Sequence, residues 1–509
     1  MMPFKEDFIF LFVMYILVGA PIAAHYITYG ITYAIWESAH SFLLCYFVAL
    51  LMAFIPPTYH RKYKSFFYAM AFLDCIIEIA CIIVTKRSFS MDHVAIIMGT
   101  NMAESLEFFE TYFSFKVVMA ILAVAIVVFV LFQGNIKAYI NYLGNKFALL
   151  FSIITILAFG YFIIKNSESW RWKFYTKIIA FISYDSPPDL HKYQKEITVN
   201  GDYIKPDYIV FIIGESFARK QSSLYGYSKD TNPYLASMCD DSLVYVYDDV
   251  SAPALNTIPC IKSILSTYKQ DYKDSVNWYE CETLPNIMSA YGYKTVWISN
   301  QSPSGIHDNI ASRYADLCDT TFWVGSKVKG LGKTDYDEKI LDILVKEKNL
   351  ICADKCCILI HLMGSHYNFQ DRYPQEWNKF ISEDYLMLSE EKRKIVATYD
   401  NSVVYNDYII GEILKSFNDS ETLAFYFPDH GLDLYDSSDT YFGHAIIDNN
   451  TSVAVCKTIP FFVYMSASFQ EKYSEAKDYI LTHSKMEFNT EDMIYFICDV
   501  LGGSIMMKE

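Results

Sequence analysis

The sequence predicts an α-helical membrane domain of five transmembrane helices, followed by an α/β domain with a mainly parallel sheet flanked by helices. Three observations carry that expectation. Hydrophobic residues make up 53% of the 509-residue chain and concentrate before residue 166. Five segments there come close to the ~20 apolar residues that cross a bilayer as a helix. Beyond about residue 200, short β-branched runs alternate with amphipathic stretches, the pattern of a sheet covered by helices on both faces.

The apolar segments are Phe8–Tyr26, His40–Ile55, Phe66–Val84, Phe115–Phe132 and Phe147–Ile164. Ala23-Ala24 near the end of the first could mark a cleaved leader, but four more spans follow, so it reads as an uncleaved helix. HRKYK (His60 to Lys64) separates the second and third spans, and Lys137 and Lys146 lie between the fourth and fifth. The loop between the third and fourth opens on Lys86-Arg87 but then carries Asp92, Glu104, Glu107 and Glu110. Basic loops stay in the cytoplasm, so five spans with a cytoplasmic N-terminus place everything after residue 165 outside it.

The membrane domain therefore covers 1–165. Within 166–200, Trp170, Trp172, Phe174 and Tyr175 mix with Arg171, Lys173 and Lys177, which suits an interfacial bridging segment at headgroup level. Pro187-Pro188 then breaks the chain ahead of an outer domain at 201–509. The net charge of −16 excludes a nucleic-acid partner, because no basic face is available to neutralise phosphates. Nine cysteines fall in the outer domain, from Cys239 to Cys498. An outward location permits disulfides, but an odd number leaves at least one thiol without an intramolecular partner.

In the outer domain, Tyr208 to Ile213 is a short apolar run between Lys205-Pro206 and Gly214, which reads as a buried strand of a parallel sheet. It ends at Gly214-Glu215-Ser216, so a carboxylate stands at the sheet edge where open α/β folds hold ligands. Asp230–Pro233 is a turn sequence, Leu243–Tyr247 a strand and Ser251–Asn256 a loop. Thr257 to Ser266 reads as a helix with an apolar face of Ile258, Ile261, Ile264 and Leu265. Thr257 fits its N-cap; a hydroxyl there also meets free N–H groups that stabilise anions, which suits a nucleophile that carries phosphate. Helices at Leu284–Tyr291, Tyr336–Lys348, Glu390–Phe417 and Thr490–Leu501 alternate with strands at Lys294–Ser299, Cys357–Leu362, Thr422–Phe427 and Pro460–Tyr464.

The strand at Cys357 runs into Met363-Gly364-Ser365-His366, and the strand at Thr422 into Pro428-Asp429-His430-Gly431. His444 lies in a further loop, TYFGHA. Carboxylates with imidazoles suit Zn2+ better than Mn2+ or Mg2+.

Several motifs give the chain a resemblance. GESFARKQSSLYGYSKDTNP (Gly214 to Pro233), NTIPCIKSILS, GYKTVWISNQ (Gly292 to Gln301), HLMGSHYNFQDRYP (His361 to Pro374), YDNSVVYNDYIIGEI (Tyr399 to Ile413) and PDHG together resemble the phosphoethanolamine transferases of the Gram-negative envelope. These include lipid A and lipopolysaccharide core modifiers and the mobile colistin resistance enzymes, within the alkaline phosphatase/sulfatase-like superfamily. GTNMAESLEF (Gly99 to Phe108) resembles the family segment associated with the lipid donor, which implies a substrate-binding role for Asn101 and Glu104. The resemblance runs nearly end to end. It implies an inner-membrane, multi-pass, monomeric enzyme with a periplasmic sulfatase-like catalytic domain. It implies Glu215, Thr257, Asp429 and His430 as ligands of one zinc, with His366 and His444 as catalytic, phosphate-side or second-metal residues. Two departures stand out: Leu255-Asn256 precedes Thr257 where the family often has Tyr or Ser-Thr, and Ala rather than Gly follows His444. The family's disulfides do not map onto the cysteines of this chain.

The expected reaction moves phosphoethanolamine from phosphatidylethanolamine to Thr257 and then to a lipopolysaccharide or other envelope glycan acceptor. The acceptor is open between a lipid A phosphate, a Kdo or heptose of the core, a periplasmic glucan and a protein. Two alternatives share the fold: a glycerol phosphate transferase, and a phosphatase- or sulfatase-type hydrolase. Ser251-Ala252-Pro253-Ala254-Leu255 begins the sulfatase C/S-x-P-x-R pattern but lacks its arginine. A non-catalytic membrane scaffold is a further alternative that the full set of candidate ligands disfavours.

Overall fold

The structure, a computed structural model, describes residues 4–26, 31–52, 55–85, 89 and 188–507, except for 273–274, 302–309, 325–334, 348–350, 352–354, 438–441 and 445–449. These residues fall into two compact units, one on each side of the interval between Phe89 and Pro188.

The first unit contains α1 (Phe4–Tyr26), α2 (Ile31–Leu51) and α3 (His60–Thr85), which cover the first three apolar segments. The fourth and fifth segments, Asn101, Glu104 and the aromatic part of the bridging segment lie outside the described residues. Among the described residues, one helix, Pro57–Ile82, is long and apolar enough to cross a membrane; Phe10–Pro21 and Ser38–Leu51 are shorter apolar helices. Phe10, Val13 and Leu17 of α1 pack against Tyr46 and Ala49 of α2 and Ala71 and Cys75 of α3. α3 also buries Asp74 and Glu78, and Glu78 accepts the backbone N–H of Phe89 at 3.3 Å.

The second unit is built on a seven-stranded mixed sheet. Among the described residues the strands of this unit are β1 (Ile197–Tyr203), β2 (Tyr208–Gly214), β3 (Val244–Val246), β4 (Asp249–Ser251), β5 (Lys294–Ser299), β6 (Thr320–Trp323), β7 (Cys356–His361), β8 (Thr422–Pro428), β9 (Asp433–Leu434), β10 (Phe442–Gly443), β11 (Phe462–Met465), β12 (Glu487–Asn489) and β13 (Gly502–Met507). The main sheet runs β3-β11-β8-β2-β7-β5-β6, and β1/β13, β9/β10 and β4/β12 form two-stranded pairs. β2 pairs parallel with β7 and β8, and β5 with β7 and β6. β11 enters antiparallel to both β8 and β3. The expected strand at Pro460–Tyr464 is thus present, shifted to Phe462–Met465, but it reverses the sheet's direction.

β2 is buried along its whole length, which is why its sequence is continuously apolar instead of alternating. Its Ile209, Phe211 and Ile213 join the core on one face, and Tyr208, Val210 and Ile212 the core on the other. Among the described residues the α-helices of this unit are α4 (Pro233–Asp240), α5 (Thr257–Ile264), α6 (Leu284–Ala290), α7 (Ile310–Ala315), α8 (Glu338–Lys346), α9 (Glu390–Lys415), α10 (Asn450–Lys457), α11 (Ala467–Lys472), α12 (Ser474–His483) and α13 (Met493–Leu501). Residues of α5, α6 and α13 cover the first face, and residues of α4, α8 and α9 the second.

Two expectations change. α5 has Asn256 at its N-cap position and Thr257 as its first helical residue, so Thr257 does not cap it. α4 stands where only a turn was expected; its first turn is capped from α9, where Asp407 accepts the N–H groups of Tyr234 at 2.7 Å and Leu235 at 3.3 Å. Among the described residues there is no disulfide, and Cys239, Cys260, Cys281, Cys318, Cys357, Cys456 and Cys498 of the outer domain carry free thiols.

Candidate active site

Register places the chemistry. Gly214 of β2 lies opposite Pro428 of β8, and Ile213 opposite His361 of β7, so Glu215, Asp429 and the turn to His366 all leave the same edge of the sheet. The crossing loops are stapled together: Asp429 N–H donates to the Gly214 carbonyl at 3.2 Å and Phe217 N–H to that of His430 at 3.2 Å. Gly431 donates to the Cys456 carbonyl at 2.7 Å. A Cβ at this position would lie 2.8 Å from that oxygen, so the approach needs glycine.

His430 donates from Nδ1 to the Gly431 carbonyl at 2.9 Å, which turns Nε2 towards the carboxylates as the potential ligand atom. That Nε2 is 3.3 Å from Glu215 Oε1, 3.5 Å from Asp429 Oδ2 and 3.4 Å from Thr257 Oγ1. One potential ligand atom from each of Glu215, Asp429 and His430 lies within 4.8 Å of the others, and all three residues are buried. Gln301 Nε2 holds Glu215 Oε2 at 3.2 Å, and Ser216 Oγ donates to Oε1 at 3.1 Å. Asp429 Oδ2 is buried with no hydrogen-bond partner.

Two buried carboxylates and an imidazole lone pair converging on one point require a cation, either a proton or a metal ion. Burial favours the neutral form of Glu215, but the hydrogen bond from His430 and the positive charge on that ring outweigh it and hold Glu215 well below the usual carboxylate range. Burial, reinforced by the negative charge of Glu215, pushes Asp429 up to about 7. For His430 burial opposes charging, yet the two carboxylates raise it to about 9. The donor set, the orphaned Asp429 oxygen and the fixed tautomer of His430 all fit a zinc ion.

His366 and His444 stand beside this triad and are not part of it. His444 donates from Nδ1 to the Leu255 carbonyl at 2.9 Å and stacks on His430 with ring centroids 3.9 Å apart. Burial lowers His366 to about 4 and His444 to about 3, so both rings are neutral at neutral pH. The next residue, Tyr367, stacks on Phe442 of β10 with centroids 5.9 Å apart, which ties the His366 turn to the strand that leads into His444.

A family model described as sulfatase matches residues 207–503, more than half of the chain. The chain belongs to the sulfatase family. Within this family it is similar to phosphoethanolamine transferase EptC of Escherichia coli strain K12, at 27% identity over 424 residues, covering 76% of this chain and 71% of the relative. The crystal structure of the C-terminal periplasmic domain of Escherichia coli EptC in complex with Zn matches with a TM-score of 0.53 and 25% identity over 63% of this chain and 87% of that one. The integral membrane lipooligosaccharide phosphoethanolamine transferase A of Neisseria meningitidis matches over 98% of this chain and 96% of its own, with a TM-score of 0.68; at 18% identity this shows a shared fold.

Sequence reading of this sulfatase-family domain missed the residues that hold the site. Gln301 ends GYKTVWISNQ, which reads as a strand and carries part of the resemblance but assigns the glutamine no role. Tyr399, on α9, receives the Ala218 N–H at 2.6 Å and donates to the Ser216 carbonyl at 3.1 Å, bracing the loop after Glu215. Asn101 and Glu104, expected to bind the lipid donor, lie outside the described residues.

Proposed function

We propose that this chain transfers phosphoethanolamine from phosphatidylethanolamine to an envelope glycolipid, either lipid A or the lipopolysaccharide core. It would act as a multi-pass protein of the bacterial inner membrane, with domains at 1–165, 166–200 and 201–509 and the last of these in the periplasm. The observation that supports the reading best is the Thr257 hydroxyl. It opens helix α5 and lies 3.4 Å from His430 Nε2, beside a buried acid–imidazole triad. The relatives named phosphoethanolamine transferase supply the transferred group.

Glu215, Asp429 and His430, with Thr257 Oγ1, would hold zinc, which when bound supplies a Lewis acid that acidifies a neighbouring hydroxyl. Thr257 Oγ1 attacks the donor phosphorus; the new Oγ–P bond forms as the bond to diacylglycerol breaks, and the threonine proton ends on the diacylglycerol oxygen. The free N–H groups at the start of α5 face the charge that develops on the phosphoryl oxygens. His366 and His444 line the phosphoryl side, where buried rings can exchange protons with leaving and entering oxygens. The acceptor oxygen then takes phosphoethanolamine from Thr257 and returns a proton to it.

The test uses full-length protein in detergent with phosphatidylethanolamine and purified lipid A or core oligosaccharide, read by product mass. Wild type should add one phosphoethanolamine to an acceptor, and Thr257→Ala should add none. Release of free phosphoethanolamine with no modified acceptor would make the protein a hydrolase, and a fully active Thr257→Ala would remove the nucleophile.

A further inference from the structure

The turn that presents His366 is gripped through its peptide groups from both ends. Asp337 lies just before α8 and is 5% exposed. Its Oδ1 accepts the Met363 N–H at 2.9 Å and Asn300 Nδ2 at 2.8 Å, and its Oδ2 accepts the Gly364 N–H at 2.9 Å. At the far end Arg372, 4% exposed, donates from Nε to the carbonyls of His366 and Tyr367, both at 3.2 Å, and from Nη2 to Tyr367 at 2.9 Å.

Two further details bear on what Asp337 does. It occupies the N-cap position of α8, where an aspartate side chain ordinarily accepts an N–H from the first turn, yet it makes no cap bond. Both of its oxygens serve the turn. The turn in turn closes on Glu215: Gly364 has φ +48°, and a Cβ there would lie 3.1 Å from the Glu215 nitrogen and 3.4 Å from its oxygen. The Asp337 carboxylate therefore fixes the distance between the His366 turn and the backbone of a triad residue.

We propose that Asp337 is a positioning residue for phosphoryl transfer, acting through His366 by anchoring the Met363–Gly364 peptide groups. The proposal rests on the transfer reading above. In Asp337→Asn one acceptor oxygen becomes an NH2 group that faces a backbone N–H, so the turn loses one anchor while side-chain volume is kept. A displacement of about 1 Å at a reacting group costs on the order of a hundredfold in rate. A loss of that order is expected in the rate of Thr257 phosphoenzyme formation.

The test is a double-mutant cycle on the full-length protein with phosphatidylethanolamine. It measures the phosphoenzyme rate for wild type, Asp337→Asn, His366→Ala and the pair, together with bound zinc and the thermal transition of each. The expected result is a slow Asp337→Asn with wild-type zinc content, and no further loss when Asp337→Asn is added to His366→Ala. Losses that multiply, or an Asp337→Asn that keeps the full rate, overturn the positioning role. If Asp337→Asn shows no cooperative thermal transition, Asp337→Glu, which keeps the charge and moves the oxygens, goes through the same cycle. A wild type that forms no phosphoenzyme on Thr257 overturns the transfer reading and this inference with it, whereas a competent wild type with an equally fast Asp337→Asn overturns this inference alone.

Discussion

Asp429 and Asp407 are both fully buried carboxylates of the same domain, and burial drives both up to about 7. They differ in what faces them. Asp407 accepts hydrogen bonds on both oxygens, from Tyr234 N–H, Leu235 N–H and Asn232 Nδ2, and so caps α4. Asp429 accepts the N–H of its own neighbour, His430, at 2.9 Å on one oxygen and has the Thr257 hydroxyl beside it, while its Oδ2 faces Glu215 and an imidazole. A buried acid surrounded by donors holds a fold together, whereas a buried acid surrounded by acceptors awaits a cation.

Substitutions at these two sites should therefore separate. Asp429→Asn should remove bound zinc and cut transfer at least a hundredfold, with no loss of stability in the metal-free protein, because a repulsive pair is relieved. Asp407→Ala should leave zinc content and activity near wild type but lower stability by about 1–3 kcal/mol, the cost of stranding buried N–H donors. Zinc stoichiometry and urea midpoints measured side by side decide it. Equal stability losses at the two sites would erase the distinction.

A second effect, of comparable size, is the response to metal. Zinc at a hundredfold excess over its dissociation constant should stabilise wild type by about 2.7 kcal/mol. The same addition should do nothing for Asp429→Asn and should act normally on Asp407→Ala. Thermal scans with and without chelator give the answer, and a zinc response that survives in Asp429→Asn would place the ion elsewhere.

The pH dependence sharpens the Asp407 side. Its folded value, about 7, lies above the ordinary 3.8, so the protonated form is favoured in the folded state. Its contribution is fully present below about pH 4 and is lost as pH rises towards 7. Asp407→Asn should flatten that part of the stability profile; parallel profiles for the variant and wild type would contradict the assignment. At the low end, Asp248 pairs with Lys485 at 2.8 Å with side chains 60% and 70% exposed. Lys485→Ala should change stability by less than about 0.5 kcal/mol.

The same contrast explains what could be read from the sequence. Glu215 and Asp429-His430 were legible because each ends a continuous apolar run, so the strand and its terminal chemistry are adjacent in the chain. α4 was not, because its cap comes from Asp407 on a distant helix. The reversed direction of β11 was hidden as well, since an apolar run has no polarity. Asp337 carries no signal at all: its partners, Met363 and Gly364, meet it only once β7 is in register. Thr257 was recognised as a helix-start hydroxyl, but its place as first helical residue and not cap depended on backbone angles at Asn256, which are extended at φ −137° and ψ 150°.

The most direct test of the central claim is intact mass of the full-length protein, quenched in acid after brief exposure to phosphatidylethanolamine without acceptor, followed by peptide mapping. A single added phosphoethanolamine on Thr257, absent from Asp429→Asn and discharged on adding a glycolipid acceptor, is the predicted result. Turnover of the donor with the adduct on another residue, or with none at any quench time, would contradict it.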